Sequence, residues 1–266
     1  ADANGSIYPV SLLSAENNVA ARIAALIATG RPVIERPKVR GRISLAGEKM
    51  EIELTPGQKR AIENALCGPG TGKTTIVRAL ADIAAGSNKS VALCCPTGRA
   101  ARRLSRATGR KAETIHRLLN YRPGEGFGRG ARQPVPADMV VVDEASMVDI
   151  ELFSALMGSL SPGTRLVMVG DVNQLPSVGP GQVLGDLIDS GAITVSRLET
   201  IHRQARRSRI VREAHRILRG QMPDTKNDPE GDFFVINEEE RESGLRAVVD
   251  LAVRRLPKAY DFDPRR

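Results

Sequence analysis

From residue 51 onward, short unbroken apolar runs alternate with stretches whose apolar residues recur every three or four positions. The runs SVALCC (90–95), DMVVVD (138–143), TRLVMVG (164–170) and AITVSRL (192–198) are rich in β-branched and aliphatic residues. A continuous apolar run, as opposed to an alternating one, predicts a strand buried on both faces, as in a parallel sheet. Helical patterns separate the runs. TPGQKRAIENAL (55–66) carries Ala61, Ile62, Ala65 and Leu66, DIELFSALMGSL (149–160) follows the second run, and a helical stretch leaves the strand that ends at Cys95. This alternation predicts an α/β fold, a parallel sheet with helices on both faces. Ahead of it, residues 15–29 place Val19, Ile23, Ala24 and Ile27 on one helical face, and the proline-rich, basic RPVIERPKVRGR (31–42) reads as a linker. GEGFGRGARQ (124–133) reads as a surface loop. Behind, DFFVIN (232–237) reads as a short strand and 238–256 as a helix. The expected organisation is therefore 1–50, a small helical region with a basic linker, and 51–266, one α/β domain.

Composition narrows the class. A chain of 266 residues with 41% apolar content holds one large domain, or one large and one small. Aromatics make up 3% and tryptophan is absent, which weighs against recognition based on base stacking. The net charge of +8 favours a polyanionic partner. Cys94 and Cys95 lie in an apolar run and read as buried thiols; no disulfide framework or metal-ligand spacing is evident, so a reducing cytoplasm is expected. No signal peptide and no apolar run long enough to span a membrane appear, so no membrane partner is expected.

The chemistry is concentrated in two motifs. In GPGTGKTT (68–75), Gly68, Gly70, Thr71 and Gly72 form a turn whose backbone N–H groups can close around phosphate oxygens. Lys73 can neutralise β/γ-phosphate charge, and Thr74, followed by Thr75, offers a hydroxyl to a metal at a helix start. In VVVDEASM (140–147), Asp143 can hold the metal and Glu144 can orient an attacking water. Together they predict a site for ATP with Mg2+. A glycine turn beside a solvated acidic pair is the plain alternative. One departure stands out: a phosphate loop follows a buried strand and opens with glycine, whereas Cys67 stands at that position and 55–66 reads as a helix. A five-residue strand covers about 17 Å, and one trans peptide spans only about 3.8 Å. A break in the chain within 64–68 is therefore expected; without one, the loop itself is deformed.

Other segments extend the site. Gln58 precedes the loop and can pair with an adenine edge through its amide. On a helix beginning near 98, Arg99, Arg102, Arg103 and Arg106 share one face. Seven basic residues stand against one acidic between Gly98 and Arg117. That face predicts phosphate-backbone contact, with Thr97, Thr114 and His116 at shorter range; a solvated helix face is the alternative. Gln174, in GDVNQLPSVGPG, can reach a γ-phosphate or the attacking water from a rigid loop built on Pro176, Gly179, Pro180 and Gly181. Arg203 can act as a γ-phosphate sensor. Downstream, Arg209, Arg212, Arg216 and Arg219 form a second stripe, open to either nucleic acid or solvent.

The segments LTPGQKRAI, GPGTGKTT, CPTGRAARRL with TIHRLL, VVVDEASMVD, GDVNQLPSVGPG and HRQA, in this order over about 54–220, resemble the RecD-type DNA helicases of superfamily 1. The resemblance implies a RecA-like P-loop motor domain that couples ATP hydrolysis to 5′-to-3′ movement on single-stranded DNA. It implies Gln58 at adenine, Lys73 and Thr74 at phosphate and magnesium, Asp143 and Glu144 at metal and water, and Gln174 and Arg203 at the γ-phosphate. It places Thr97, Thr114 and His116 near the DNA strand. It also implies DNA repair or recombination work, helicase–nuclease subunits as partners, and a second motor domain that the sequence after Arg203 does not supply. Two other functions compete: a non-translocating, ATP-switched loader or remodeller, and a nucleic-acid-binding module with an inactive nucleotide site. The absence of an asparagine or threonine sensor strand weighs against the loader, and the unusual loop favours the inactive module.

Overall fold

The computed structural model describes residues 9–29, 34, 36–67, 74–198, 208–228, 231–261 and 263; for residues 36, 37, 67 and 74 it describes the backbone alone. Contacts divide the chain into two units, Ala1–Thr200 and Ile201–Arg266.

In the first unit three of the apolar runs become strands. β1 (Val91–Cys95), β2 (Ala112–Thr114), β5 (Met139–Val142) and β6 (Arg165–Met168) form a parallel sheet in the order β2-β1-β5-β6. Val91–Cys94 pair with Met139–Val142, which pair in turn with Arg165–Met168. β3 (Tyr121–Arg122) and β4 (Gly126–Phe127) form a separate antiparallel hairpin, so within the 124–133 stretch expected as a surface loop only Gly126–Phe127 is strand.

The two-residue period of each strand sorts its side chains into two cores. Leu93, Cys95, Met139, Val141 and Val167 face one side. There they meet α2 (Arg36–Lys49), α3 (Pro56–Cys67), α4 (Thr74–Ala85) and α5 (Gly98–Thr108), through residues such as Ile43, Ile62, Leu80 and Leu104. Cys94, Val140, Val142 and Met168 face the other side. They meet α1 (Val10–Thr29), α6 (Ile115–Leu118), α7 (Ile150–Gly158) and α8 (Val183–Asp189), with Phe153 and Leu156 fully covered. Each large apolar side chain buried this way stabilises by about 1.5–3 kcal/mol. The parallel sheet with helices on both faces is the fold expected from the alternation. Because all four strands run the same way, Cys95, Thr114, Val142 and Met168 end along one edge of the sheet.

Several expectations need correction. The stretch 31–42 is not a linker over its described length from 36 on, because Val39, Ile43 and Ala46 make an apolar stripe that docks in the first core, and α2 results. No strand forms over 192–198. Ser196 Oγ accepts a hydrogen bond from Asn64 Nδ2 at 3.0 Å and Leu198 packs on the first core, so side-chain contacts hold the segment in place of a ladder. α3 is unbroken through Cys67, so no break falls within 64–67; Gly68 lies outside the described residues. Among the described residues no strand separates α3 from α4, and those two helices pack on each other.

The second unit contains α9 (Arg209–Leu218), α10 (Arg241–Asp250), one π-helical segment (Leu251–Arg255) and α11 (Leu256–Tyr260). The helix expected over 238–256 is thus present in extended form. The expected strand 232–237 is absent: Asn227 donates from Nδ2 to Val235 O at 2.9 Å and accepts from Val235 N–H at 2.8 Å, doing for that residue what a neighbouring strand would do. In α9 the polar Glu213 is buried, while Ile210, Ile217 and Leu218 are exposed. Arg212 and Arg216 pair with Glu213 at 3.0 and 3.4 Å, and Arg209 pairs with Asp224 at 3.6 Å. Three arginines of the second stripe are therefore committed to carboxylates of their own unit, an outcome that neither nucleic acid nor bare solvent anticipated.

Candidate functional site

The acidic pair sits where β5 ends. Asp143 extends the strand, donating its N–H to Cys94 O at 2.9 Å, and its side chain is almost fully buried. Its Oδ1 accepts the N–H of Glu144 at 3.0 Å. Burial pushes the Asp143 carboxyl above the usual carboxylate range; the Glu144 N–H pulls it back, the Glu144 charge raises it further, and Arg103 opposes that rise. Among the described residues, Asp143 has no ion-pair partner.

Glu144 occupies the left-handed region, with φ 56° and ψ 40°. A non-glycine residue persists there only when its surroundings over-determine it, at a cost of about 1–3 kcal/mol. Here three contacts do so: the Asp143 carboxylate on its N–H, the Ala145 N–H donated to Val169 O at 2.8 Å, and a close approach of Gly170. A Cβ on Gly170 would lie 2.6 Å from Leu184 Cδ2 and 3.0 Å from Ser146 N, so only glycine lets the end of β6 close on the acidic turn. The Glu144 carboxylate is ion-paired to Arg103 through Oε1 and the guanidinium Nη2. Cys95, beneath this cluster, has its thiol pushed up to about 12 by burial, with Asp143 and Glu144 adding to the effect, and is inert as a nucleophile.

Helix α5 supplies the facing wall. Thr97 caps it in an extended conformation, its Oγ1 accepting the Ala100 N–H at 3.3 Å. Ala101, Leu104 and Thr108 are buried, which turns Arg99, Arg102, Arg103 and Arg106 outward. An open cleft of about 1020 Å³ lies in front of them, lined also by Thr97, Glu144, Met147, Asn173, Gln174 and Leu175. Of the seven basic residues between Gly98 and Arg117, four are in ion pairs: Arg103 with Glu144, Arg110 with Asp82, and Lys111 and Arg117 with Glu113. Among the described residues, Arg99, Arg102 and Arg106 have no carboxylate partner.

Gln174 enters the cleft from a fastened loop. Its Nε2 donates to Asp171 Oδ2 at 3.4 Å, and its N–H to Asp171 O at 3.1 Å. Ser177 Oγ lies within hydrogen-bond distance of Gly179 O and Gly181 O. Pro180 O accepts the N–H of Ile150, which starts α7. Gly181, at φ 91°, makes the turn that brings this about.

The remaining sequence-predicted residues sit elsewhere. Thr114 caps α6, accepting the Arg117 N–H at 3.1 Å. His116 is exposed beside Tyr121 and Phe127, with ring centroids 5.3 and 5.9 Å away. Neither lines the cleft. Gln58 and Thr55 cap α3 reciprocally: Thr55 donates its N–H to Gln58 Oε1 at 2.8 Å, and Gln58 donates its N–H to Thr55 Oγ1 at 3.3 Å. The T-x-x-Q spacing signals such a capping box, and the sequence reading passed it over for the adenine role. Thr75 is exposed near the start of α4. Gly68, Gly70, Thr71, Gly72, Lys73 and Arg203 lie outside the described residues, as does the Thr74 side chain. The structure thus brings Thr97, the four arginines, Glu144 and Gln174 to one cleft. The Arg103–Glu144 pair was missed, since 41 residues separate the two and no spacing rule links them. Among the described residues no helix is long and apolar enough to cross a membrane.

Residues 52–231 match the model of a family described as an AAA domain. The chain is similar to the ATP-dependent RecD2 DNA helicase of Deinococcus radiodurans, 38% identical over 230 residues, which cover 84% of this chain and 31% of that protein. It is also similar to the RecBCD enzyme subunit RecD of Mycobacterium tuberculosis, 39% identical over 181 residues, with 55% of this chain and 32% of that protein covered. The chain therefore spans about a third of the length of these two curated relatives. Among solved structures, Bacteroides Pif1 bound to single-stranded DNA superposes with a TM-score of 0.44 at 18% identity, covering 75% of this chain and 56% of that one.

Proposed function

The chain belongs to the AAA domain family, and we propose that it is the ATP-driven motor domain of a RecD-type DNA helicase. The observation that carries this is the cleft at the strands' carboxyl ends, where Glu144 and Gln174 face a row of arginines. In parallel α/β folds ligands bind at that edge. In this reading residues 51–266 carry the motor and 1–50 a helical region ahead of it. A second motor domain comes from elsewhere in the whole protein, single-stranded DNA is the track, and movement runs 5′ to 3′. Helicase–nuclease subunits are its partners and the cytoplasm its location.

The residue roles follow from the chemistry. Lys73 neutralises phosphate charge, and the amides of Gly68, Gly70, Thr71 and Gly72 cradle it with Thr75 nearby. Gln58 keeps its Nε2 available for an adenine edge while Oε1 caps α3. Asp143 suits a cation, being a buried carboxylate with a raised pKa and no ion-pair partner among the described residues; Mg2+ would be held by Asp143 and Thr74 together with the nucleotide's own phosphates. Such a metal draws off phosphate charge when bound. Glu144 orients the attacking water and accepts its proton, with Gln174 and Arg203 reading the γ-phosphate. Thr97, Arg99, Arg102, Arg103 and Arg106 contact the DNA backbone, with Thr114 and His116 farther along it.

One observation favours a second reading. α3 runs unbroken to Cys67, so a helix, not a strand, leads into the phosphate loop. Under that reading the chain binds nucleic acid without turning over nucleotide. Paired substitutions in the complete protein separate the two. Lys73→Ala should abolish ATP binding. Glu144→Gln should spare binding and slow hydrolysis by about 10²–10⁴-fold, the usual share of a general base. Equal loss of ATP affinity in both variants would refute the division of roles. A wild-type protein that binds single-stranded DNA but leaves ATP intact would establish the second reading.

A further inference from the structure

We propose that Arg103 is a positioning residue for Glu144: it holds the glutamate against α5 until a nucleic-acid phosphate takes the guanidinium. The inference rests on the motor reading and adds a coupling that none of the assigned roles contains.

Two observations meet at Arg103. Its guanidinium is ion-paired to Glu144 Oε1, so the carboxylate proposed to orient water is already engaged. The same guanidinium belongs to the face formed by Arg99, Arg102 and Arg106, which line the same cleft and have no carboxylate partner among the described residues. Arg103 follows Arg99 by four residues and precedes Arg106 by three, so the three are neighbours on the helix surface. A polyanion laid along that row brings a phosphate within reach of the fourth guanidinium. The Arg103 side chain is 65% exposed and Glu144 20% exposed, so an incoming phosphate reaches the arginine before it reaches the acid. Guanidinium pairs with phosphate at least as well as with carboxylate, in the same forked geometry. Transfer of Arg103 to phosphate leaves Oε1 of Glu144 open for water.

The exchange requires no backbone movement. Glu144 is fixed by its N–H to Asp143 Oδ1, and Ala145 by its N–H to Val169 O, so only side-chain torsions change. Arg103 thereby links occupancy of the arginine row to readiness of the acid.

The test is ATP hydrolysis by the complete protein, with and without oligo(dT), for wild type, Arg103→Ala, Arg103→Gln and Arg103→Lys. Removing the guanidinium should raise the DNA-free rate about two- to fivefold, the shift a partly exposed ion pair can hold back, and lower the stimulation by DNA by the same factor. Arg103→Lys keeps a cation at the position and should restore most of the stimulation. In wild type without DNA, added salt should raise the rate by screening the pair; in Arg103→Ala it should not. Thermal unfolding of each variant checks the fold. A DNA-stimulated wild type whose Arg103→Ala and Arg103→Gln variants keep the wild-type basal rate and stimulation overturns the latch alone. Variants slower both with and without DNA also overturn it. A wild type that does not hydrolyse ATP in any condition overturns the motor reading, and the latch with it.

Discussion

The two units of this chain solve opposite problems with similar helices. In the first, a sheet sorts its side chains into two sealed cores, and the helices on each face hide their apolar stripes against it. In the second, no described apolar residue is buried: Ile210, Leu245, Val248, Val253 and Tyr260 lie open, and the deeply buried side chain is the acid Glu213. An amphipathic pattern creates a face to be covered, and only a second surface, such as a sheet, turns that face into stability. The first unit has that surface. The second holds itself together through arginine–carboxylate pairs and backbone-to-side-chain bonds.

The largest expected consequence is in local stability. Backbone amides of β1, β5 and β6 should exchange with solvent only on global unfolding, while those of α9–α11 should exchange about a thousandfold faster or more. Hydrogen-exchange mass spectrometry would erase the contrast if both units showed the same protection. Substitution comes next. Phe153→Ala should cost about 3–5 kcal/mol by opening a cavity in the second core, while Val248→Ala should change stability by no more than about 0.5 kcal/mol. Comparable losses in denaturant unfolding would mean that the second unit has a core after all. A smaller effect is expected at the acidic turn, where Gly170→Ala should cost about 1–3 kcal/mol by overpacking against Leu184; an unchanged melting temperature would show that β6 can yield there. The smallest concerns acid. Asp138 accepts bonds from Ser90 Oγ, Ser90 N–H and Lys89 Nζ, and these hold its pKa at about 2, below the ordinary 3.8. A lowered folded-state pKa contributes stability above the unfolded value, lost as pH falls through the folded one. After solvent screening of a side chain 40% exposed, the first unit should lose about 1 kcal/mol between pH 4 and pH 2. Asp138→Asn should remove that slope, and an identical acid profile in the variant would defeat the assignment.

The sheet was legible because apolar residues stand in unbroken runs at 91–95, 139–142 and 166–168, and each run found a strand to pair with. The run at 192–198 is similarly aliphatic but pairs with no strand among the described residues; Asn64 and the first core hold it instead. Prolines, glycines and charges masked the stripe of α2, whose Val39, Ile43 and Ala46 are sparse but correctly spaced. Within the cleft, the arginine face of α5 followed from helical periodicity. Glu144 and Gln174 followed from their motifs. The pairing of Arg103 with Glu144 depends on which strand lies beside which, and that topology is written in no local pattern. The reciprocal cap of Thr55 and Gln58 was written locally, in a four-residue spacing.

Neighbouring Cys94 and Cys95 close this picture in an unexpected way. They are consecutive on β1, fully buried, and the pleat sends one thiol into each core. A thiol-specific reagent can reach either sulfur only when its own face parts. In a protein with Cys67 replaced, labelling rates at these two adjacent positions would act as a pair of clocks. They would time separately how often the layer of α2–α5 and the layer of α1 and α6–α8 lift away from one strand, with no probe added to the molecule.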